Sequence, residues 1–244
     1  MPDPVVLIPG LQADGSSWSP ILPRLMQRFP VCIPYGHQHR SSVVEMADDV
    51  LEQVPARFHL VGWSMGGYVA LEILRRRPPG LASLVLVDTT DAPEASYARH
   101  RREAALAAVC NDDLRQYQRQ NLRACVHDPE VLSSALAEVL LDAAEALGPA
   151  ALTSQITAVV ERPDSRADLA TCPCPLLIVT GREDGIIPAT ESRRMHRQAP
   201  GSILHEIDRC GHCPPLEHHN HFASLLMDWL DRVDQDSPAR LATA

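Results

Sequence analysis

Lysine is missing from this 244-residue chain, and all 22 of its basic side chains are arginine. Schiff-base, P-loop and lysine-assisted mechanisms are thereby excluded, because each needs the primary amine. Apolar runs long enough to cross a bilayer are missing too, so no membrane span is expected. The first strand-like run begins at Val5, which leaves no room for a signal peptide before it. Seven cysteines, an odd number, do not read as a disulfide framework in a chain of this size. A reduced, cytoplasmic protein is the expectation. The net charge of −9 argues against a general nucleic-acid binder. No internal repeat is visible.

What is present is a chain with 45% hydrophobic residues, enough for one large α/β domain with an inserted subdomain. Strand candidates recur at 5–8, 31–34, 58–62, 81–88, 176–181 and 203–208. Several are continuous Val/Leu/Ile runs, as in strands of a parallel sheet covered on both faces. Helices are expected at 42–53, 65–76 and 189–198. A closing helix is expected from 215 to about 233, with Phe222, Leu225, Leu226, Trp229 and Leu230 on its apolar face. Alternation of β and α implies a mostly parallel, doubly wound sheet. The pattern breaks between about 91 and 166, where the chain is rich in Ala, Leu, Arg and Glu. Asp128-Pro129 reads as an N-cap followed by proline, and Gly148-Pro149 ends one helix and opens another. A βα crossover does not need this length, so three or four helices forming a cap are expected. The organisation is thus a core of 1–90 and 167–234, a helical cap of 91–166 and a polar tail of 235–244.

Gly62-Trp63-Ser64-Met65-Gly66-Gly67 directly follows the apolar run Phe58-His59-Leu60-Val61 and fits Gly-x-Ser-x-Gly. In that pattern a buried strand reaches a serine and turns sharply into a helix, lifting the hydroxyl clear of the sheet edge. The N-terminal amides of the helix that follows point at the same spot. A serine hydroxyl is a weak nucleophile, so it needs a base, and the base needs an orienting acid. Asp184 stands in Gly181-Arg182-Glu183-Asp184-Gly185, just after one strand candidate, and His212 in Cys210-Gly211-His212, just after another. Parallel strands present their C-terminal ends on one edge, so Ser64, Asp184 and His212 should converge there. Asp88, at the end of the strand at 84–87, is the competing acid; its other reading is a cap on the inserted helices. Activity should rise through about pH 6–7 as His212 becomes neutral.

Other residues have plainer readings. Cys210-Gly211-His212-Cys213, with His218, His219 and His221 nearby, superficially resembles a metal site, but a second well-spaced ligand pair is lacking and no metal is expected. Trp63 and Met65 should pack around the turn, and Trp18 in the core. Cys213 and Pro214 are candidates for the pocket wall. Arg99, Arg101, Arg102, Arg115, Arg119 and Arg123 make a locally basic stretch on an acidic protein. A solvated helix face is the default reading, and a landing site for an acidic substrate or carrier protein is the alternative.

Leu7-Ile8-Pro9-Gly10-Leu11, the elbow 62–67, the acid loop 181–188 and Gly211-His212 together resemble an α/β-hydrolase over nearly the whole chain. The likeness is to the small capped esterases and lactonases of that superfamily. It implies an oxyanion hole made by the backbone amides of Leu11 and Met65, and a serine hydrolase of carboxylic esters, lactones included, that needs no cofactor. C–C bond hydrolysis, thioester or peptide cleavage, and ligand binding with little turnover remain the alternatives. The expected partner is a small-molecule ester, with no nucleic acid and no membrane; oligomeric state is not legible.

Overall fold

The register of six parallel strands decides where the loops of this protein meet. In the computed structural model, which describes residues 2–94, 102, 106, 114–131 and 133–236, the strands are β1 (Val5–Ile8), β2 (Val31–Cys32), β3 (Phe58–Trp63), β4 (Leu81–Val87), β5 (Leu176–Gly181) and β6 (Ile203–Ile207). They lie in the order β2-β1-β3-β4-β5-β6, every neighbouring pair parallel. The chain moves outward from β1 to β2 and returns to β3 on the other side of β1. That reversal opens a crevice at the strand C-termini between β1 and β3, the usual ligand position in open α/β sheets.

Both faces of the sheet are covered, which explains the unbroken apolar runs. After the short α1 (Leu22–Leu25) come α2 (Val43–Leu51) and α3 (Met65–Arg76), which build the layer faced by Val6, Ile8, Leu60, Leu84, Leu86 and Ile178. Alternate residues Val5, Leu7, Val61, Val85, Leu177 and Val179 face the other, with Trp18 and the closing helix. Trp18 is fully buried and meets Trp63 edge-on, ring centroids 5.8 Å apart.

Some boundaries differ from the sequence reading. β2 spans two residues rather than four, because Pro34 cannot donate to a ladder. The closing segment is two helices, Pro214–Glu217 and His219–Asp236, broken at His218 (φ −127°, ψ 42°). Between β4 and β5 lie α4 (Leu114–Cys125), α5 (Ser134–Val160) and the short α6 (Arg166–Ala170). Within α5, Gly148 is non-helical (φ 75°, ψ 176°), so the Gly-Pro break divides one span into two stretches. Asp128 caps only a three-residue turn, accepting from the Glu130 amide at 3.0 Å, while Ser133 caps α5. Among the described residues no helix is long and apolar enough to cross a membrane.

Candidate active site

Ser64 sits between β3 and α3 with φ 55° and ψ −115°, a conformation costing a non-glycine residue on the order of 1–3 kcal/mol. Its neighbours hold it there. The Ser64 amide donates to Val87 O at 2.9 Å, and Ser64 O accepts from the Gly67 amide and from Thr89 Oγ1, each at 2.9 Å. The elbow is also sterically closed. A Cβ on Gly62 would lie 2.4 Å from Gly66 O, and one on Gly66 would lie 2.2 Å from Ile8 O. Only glycine lets β1, β3 and α3 approach this closely.

The loops after β5 and β6 bring the other two residues to the same edge. His212 Nε2 is 2.8 Å from Ser64 Oγ, and His212 Nδ1 is 2.7 Å from Asp184 Oδ2. Asp184 Oδ1 accepts from the backbone amides of Ile186 (2.7 Å) and Ile187 (3.0 Å), which fixes the carboxylate. Asp184 and His212 are both buried. Burial pulls the imidazolium of His212 down, but the charge and hydrogen bond of Asp184 outweigh it and the ring is pushed up to about 9. The expected activity rise therefore moves above the range of an unperturbed histidine.

Asp88 lies beside this line without joining it. Its Oδ1 accepts from the Gly181 amide and Thr180 Oγ1, each at 2.9 Å. Its Oδ2 has no partner among the described residues, although polar atoms of Asp88, Asp184 and His212 all fall within 4.8 Å of one another. Burial, and then the Asp184 charge, raise the Asp88 carboxyl well above the usual carboxylate range, favouring its neutral form. Asp88 is thus bonded to the end of β5, and among the described residues the hydrogen bond to His212 Nδ1 comes from Asp184.

Leu11 and Met65 flank the serine, and neither amide has an acceptor among the described residues. Gly10 lies against Ser64, where an added Cβ would stand 3.4 Å from the Ser64 Cβ. The loop is pinned from above: the Gln12 amide donates to Gln155 Oε1 at 2.7 Å, and Gln155 Nε2 donates to Gln38 O at 3.0 Å. Leu11, Ser64, Met65 and His212 line one cleft. Its walls include Leu122, Leu140, Leu141 and Val159 from the helices between β4 and β5, as well as Cys213. Such a site can activate a hydroxyl for attack on a carbonyl held in an apolar slot.

A family model described as the alpha/beta hydrolase family matches residues 5–223. The chain belongs to the alpha/beta hydrolase family. It is 30% identical over 251 residues to a pimeloyl-(acyl-carrier protein) methyl ester esterase of Neisseria meningitidis serogroup B, covering 95% of each chain. It is also 30% identical over 242 residues to the enzyme of the same name from Methylococcus capsulatus, covering 93% of this chain and 94% of that one. A thermophilic esterase from Thermogutta terrifontis superimposes with a TM-score of 0.81 at 26% identity, over 95% of this chain and 90% of that one. The enol-lactonase of Burkholderia xenovorans LB400 shares the fold, with a TM-score of 0.84 at 18% identity over 95% and 92% of the two chains.

Two supports of this hydrolase site escape a motif search. Glu217 is buried behind His212: one carboxylate oxygen accepts from the amides of Gly211 (2.9 Å) and Cys213 (3.1 Å), the other from the His127 amide (2.7 Å). Trp63 Nε1 donates to His212 O at 2.8 Å. Glu217 reaches Gly211 and Cys213 within its own loop, but its bond to His127 and the bond of Trp63 to His212 join residues far apart in the chain, which no local spacing displays. His218 and the pair His205 and His221 lie elsewhere. His218 Nε2 donates to Arg209 O, and His205 and His221 meet 3.0 Å apart near the surface. A second Ser-His-Asp grouping, Ser83, His59 and Asp234, is wholly enclosed near the start of β3 and ties the closing helix to the sheet.

The basic stretch separates into two kinds of arginine. Arg115 pairs with Glu138, Asp142 and Glu145 of α5, and Arg119 with Glu138. Arg102 pairs with Glu94 and lines the cleft. Arg99 and Arg101 lie outside the described residues.

Proposed function

We propose that this carboxylic ester hydrolase works through an acyl-enzyme on Ser64. His212 takes the hydroxyl proton as Ser64 attacks the ester carbonyl, then gives it to the departing alcohol. Asp184 fixes the tautomer with the proton on Nδ1 and stabilises the imidazolium. The amides of Leu11 and Met65 receive the developing oxyanion, each contributing about 3 kcal/mol to the transition state. Water then repeats the sequence on the acyl-enzyme, and no step calls on a cofactor. The observation carrying this reading is the unbroken chain Ser64 Oγ, His212 Nε2, His212 Nδ1, Asp184 Oδ2, with contacts of 2.8 and 2.7 Å.

Residues 91–166 act as the cap over a core of 1–90 and 167–234. The cap supplies apolar walls that hold an acyl chain and exclude bulky esters. The relatives named above support an acyl methyl ester as the substrate, and the odd number of cysteines supports a reducing cytoplasm as the setting.

The test pairs a fluorophosphonate probe with a panel of p-nitrophenyl esters, acyl methyl esters, lactones and aminoacyl amides. Rapid labelling of wild type but not Ser64→Ala, with turnover confined to esters and lactones, is the expected result. Ser64→Ala and His212→Ala should each lower kcat by roughly 10³- to 10⁶-fold. Near-normal turnover in either variant, or inertness of Ser64 to the probe, would end the proposal.

A further inference from the structure

Gln118 on α4 is buried and lines the cleft beside Ser64, yet its side-chain Nε2 has no acceptor among the described residues. Proteins rarely leave a buried amide donor unmatched unless something else occupies the space in front of it. Arg102 lines the same cleft. Its Nε donates to Glu94 Oε1 at 3.3 Å, but Glu94 is also held by Arg162. Arg162 is the more deeply seated of the two, donating to Ala92 O (3.0 Å) and Val159 O (2.7 Å) and lying 4.2 Å from the Tyr68 ring centroid. One carboxylate thus serves two guanidinium groups. The surplus positive charge belongs to Arg102, at the wall of a largely apolar cleft.

We propose that Arg102 and Gln118 form a carboxylate-recognition subsite, so that the preferred substrates are esters carrying a second, free carboxylate away from the scissile bond. The inference rests on the ester-hydrolase reading of Ser64. A guanidinium offers a forked pair of charged donors and the Gln118 amide a neutral one, and a carboxylate has lone pairs enough for both. The apolar walls raise the strength of that charge contact by keeping water away. The carboxylate belongs either to the acyl half, as in a half-ester of a dicarboxylic acid, or to the alcohol half, as in an acylated hydroxy acid.

Two matched pairs decide the matter: monomethyl against dimethyl adipate, and an acetylated ω-hydroxy acid against its methyl ester. Wild type should favour the anion in one pair by about tenfold or more in kcat/KM, and that pair assigns the half that bears the charge. Arg102→Gln should remove this preference, chiefly by raising KM for the anion. Gln118→Leu should weaken it while raising Tm, since an unmatched buried donor is replaced by an apolar side chain; a merely structural glutamine would lower Tm. Inhibition of p-nitrophenyl acetate hydrolysis by adipate, weakened about tenfold or more in Arg102→Gln, supplies the same readout without turnover of the half-ester. Equal handling of both members of both pairs, or an Arg102→Gln variant that slows charged and neutral esters alike, overturns the subsite. Loss of the ester-hydrolase reading looks different: p-nitrophenyl acetate turnover would survive Ser64→Ala.

Discussion

Replacing Asp184 or Asp88 by asparagine separates two buried carboxyl groups that stand within reach of the same imidazole. In Asp184→Asn the amide oxygen must stay at Oδ1, because that position accepts from the Ile186 and Ile187 amides. The new NH₂ is then forced to the Oδ2 position, 2.7 Å from His212 Nδ1. A donor there stabilises the tautomer with Nδ1 bare and the proton on Nε2, so His212 faces Ser64 as a donor and cannot accept the hydroxyl proton. Loss of the tautomer and of the stabilising charge should lower kcat about 10⁴-fold, equivalent to about 5.5 kcal/mol of transition-state energy. In Asp88→Asn the oxygen again stays where Gly181 and Thr180 donate, and the NH₂ takes the position of the unpartnered Oδ2. A neutral amide replaces a carboxyl already favoured in its neutral form, so kcat should change by less than about tenfold. The assay is kcat on p-nitrophenyl acetate for both variants, beside thermal melts that exclude unfolding. Equal damage from the two substitutions, or near-normal turnover in Asp184→Asn, would refute the assignment of the acid.

Further outcomes follow from the same geometry. Because His212 must be neutral to act and its pKa is pushed up to about 9, kcat/KM on a neutral ester should still be rising above pH 7. Asp184→Asn should move the inflection of that profile down. Glu217→Gln keeps only one good acceptor oxygen and turns an NH₂ toward a backbone donor, so Tm and kcat should both fall, with stability lower by about 1–3 kcal/mol. His37 is fully buried with neither ring nitrogen partnered among the described residues, and burial lowers it from 6.5 to about 4. The unfolded chain takes up that proton first. Its contribution to stability is therefore complete above about pH 6.5 and is lost as pH falls toward 4, on the order of 3 kcal/mol in all. His37→Phe should flatten the stability profile measured by urea melts across that window; an unchanged slope would refute the reasoning.

Much of this protein was readable from its residues in order. The apolar stretches at 5–8, 81–88 and 176–181 suited strands covered on both faces, and the observed sheet is enclosed by two apolar layers. Ser64 was visible because the elbow demands small residues at fixed offsets, a local steric requirement. Asp184 and His212 were visible because parallel strands all end on one edge. Local preferences act over a few residues, so a sequence displays them directly.

Other features depend on which distant atoms the fold brings together. Asp88 and Asp184 both follow apolar strands, and the sequence puts Asp184 first with Asp88 as its competitor. What only the tertiary structure adds is a 2.7 Å contact of Asp184 with His212 and a bond of Asp88 to the end of β5. Arg102 and Arg115 belong to one basic stretch, yet one lines the cleft while the other meets the carboxylates of α5. Gln155 and Glu217 hold backbone groups remote in the chain. Hydrogen bonds and buried charges take their strength from distance and from the exclusion of water, and both come into being only when the chain has packed.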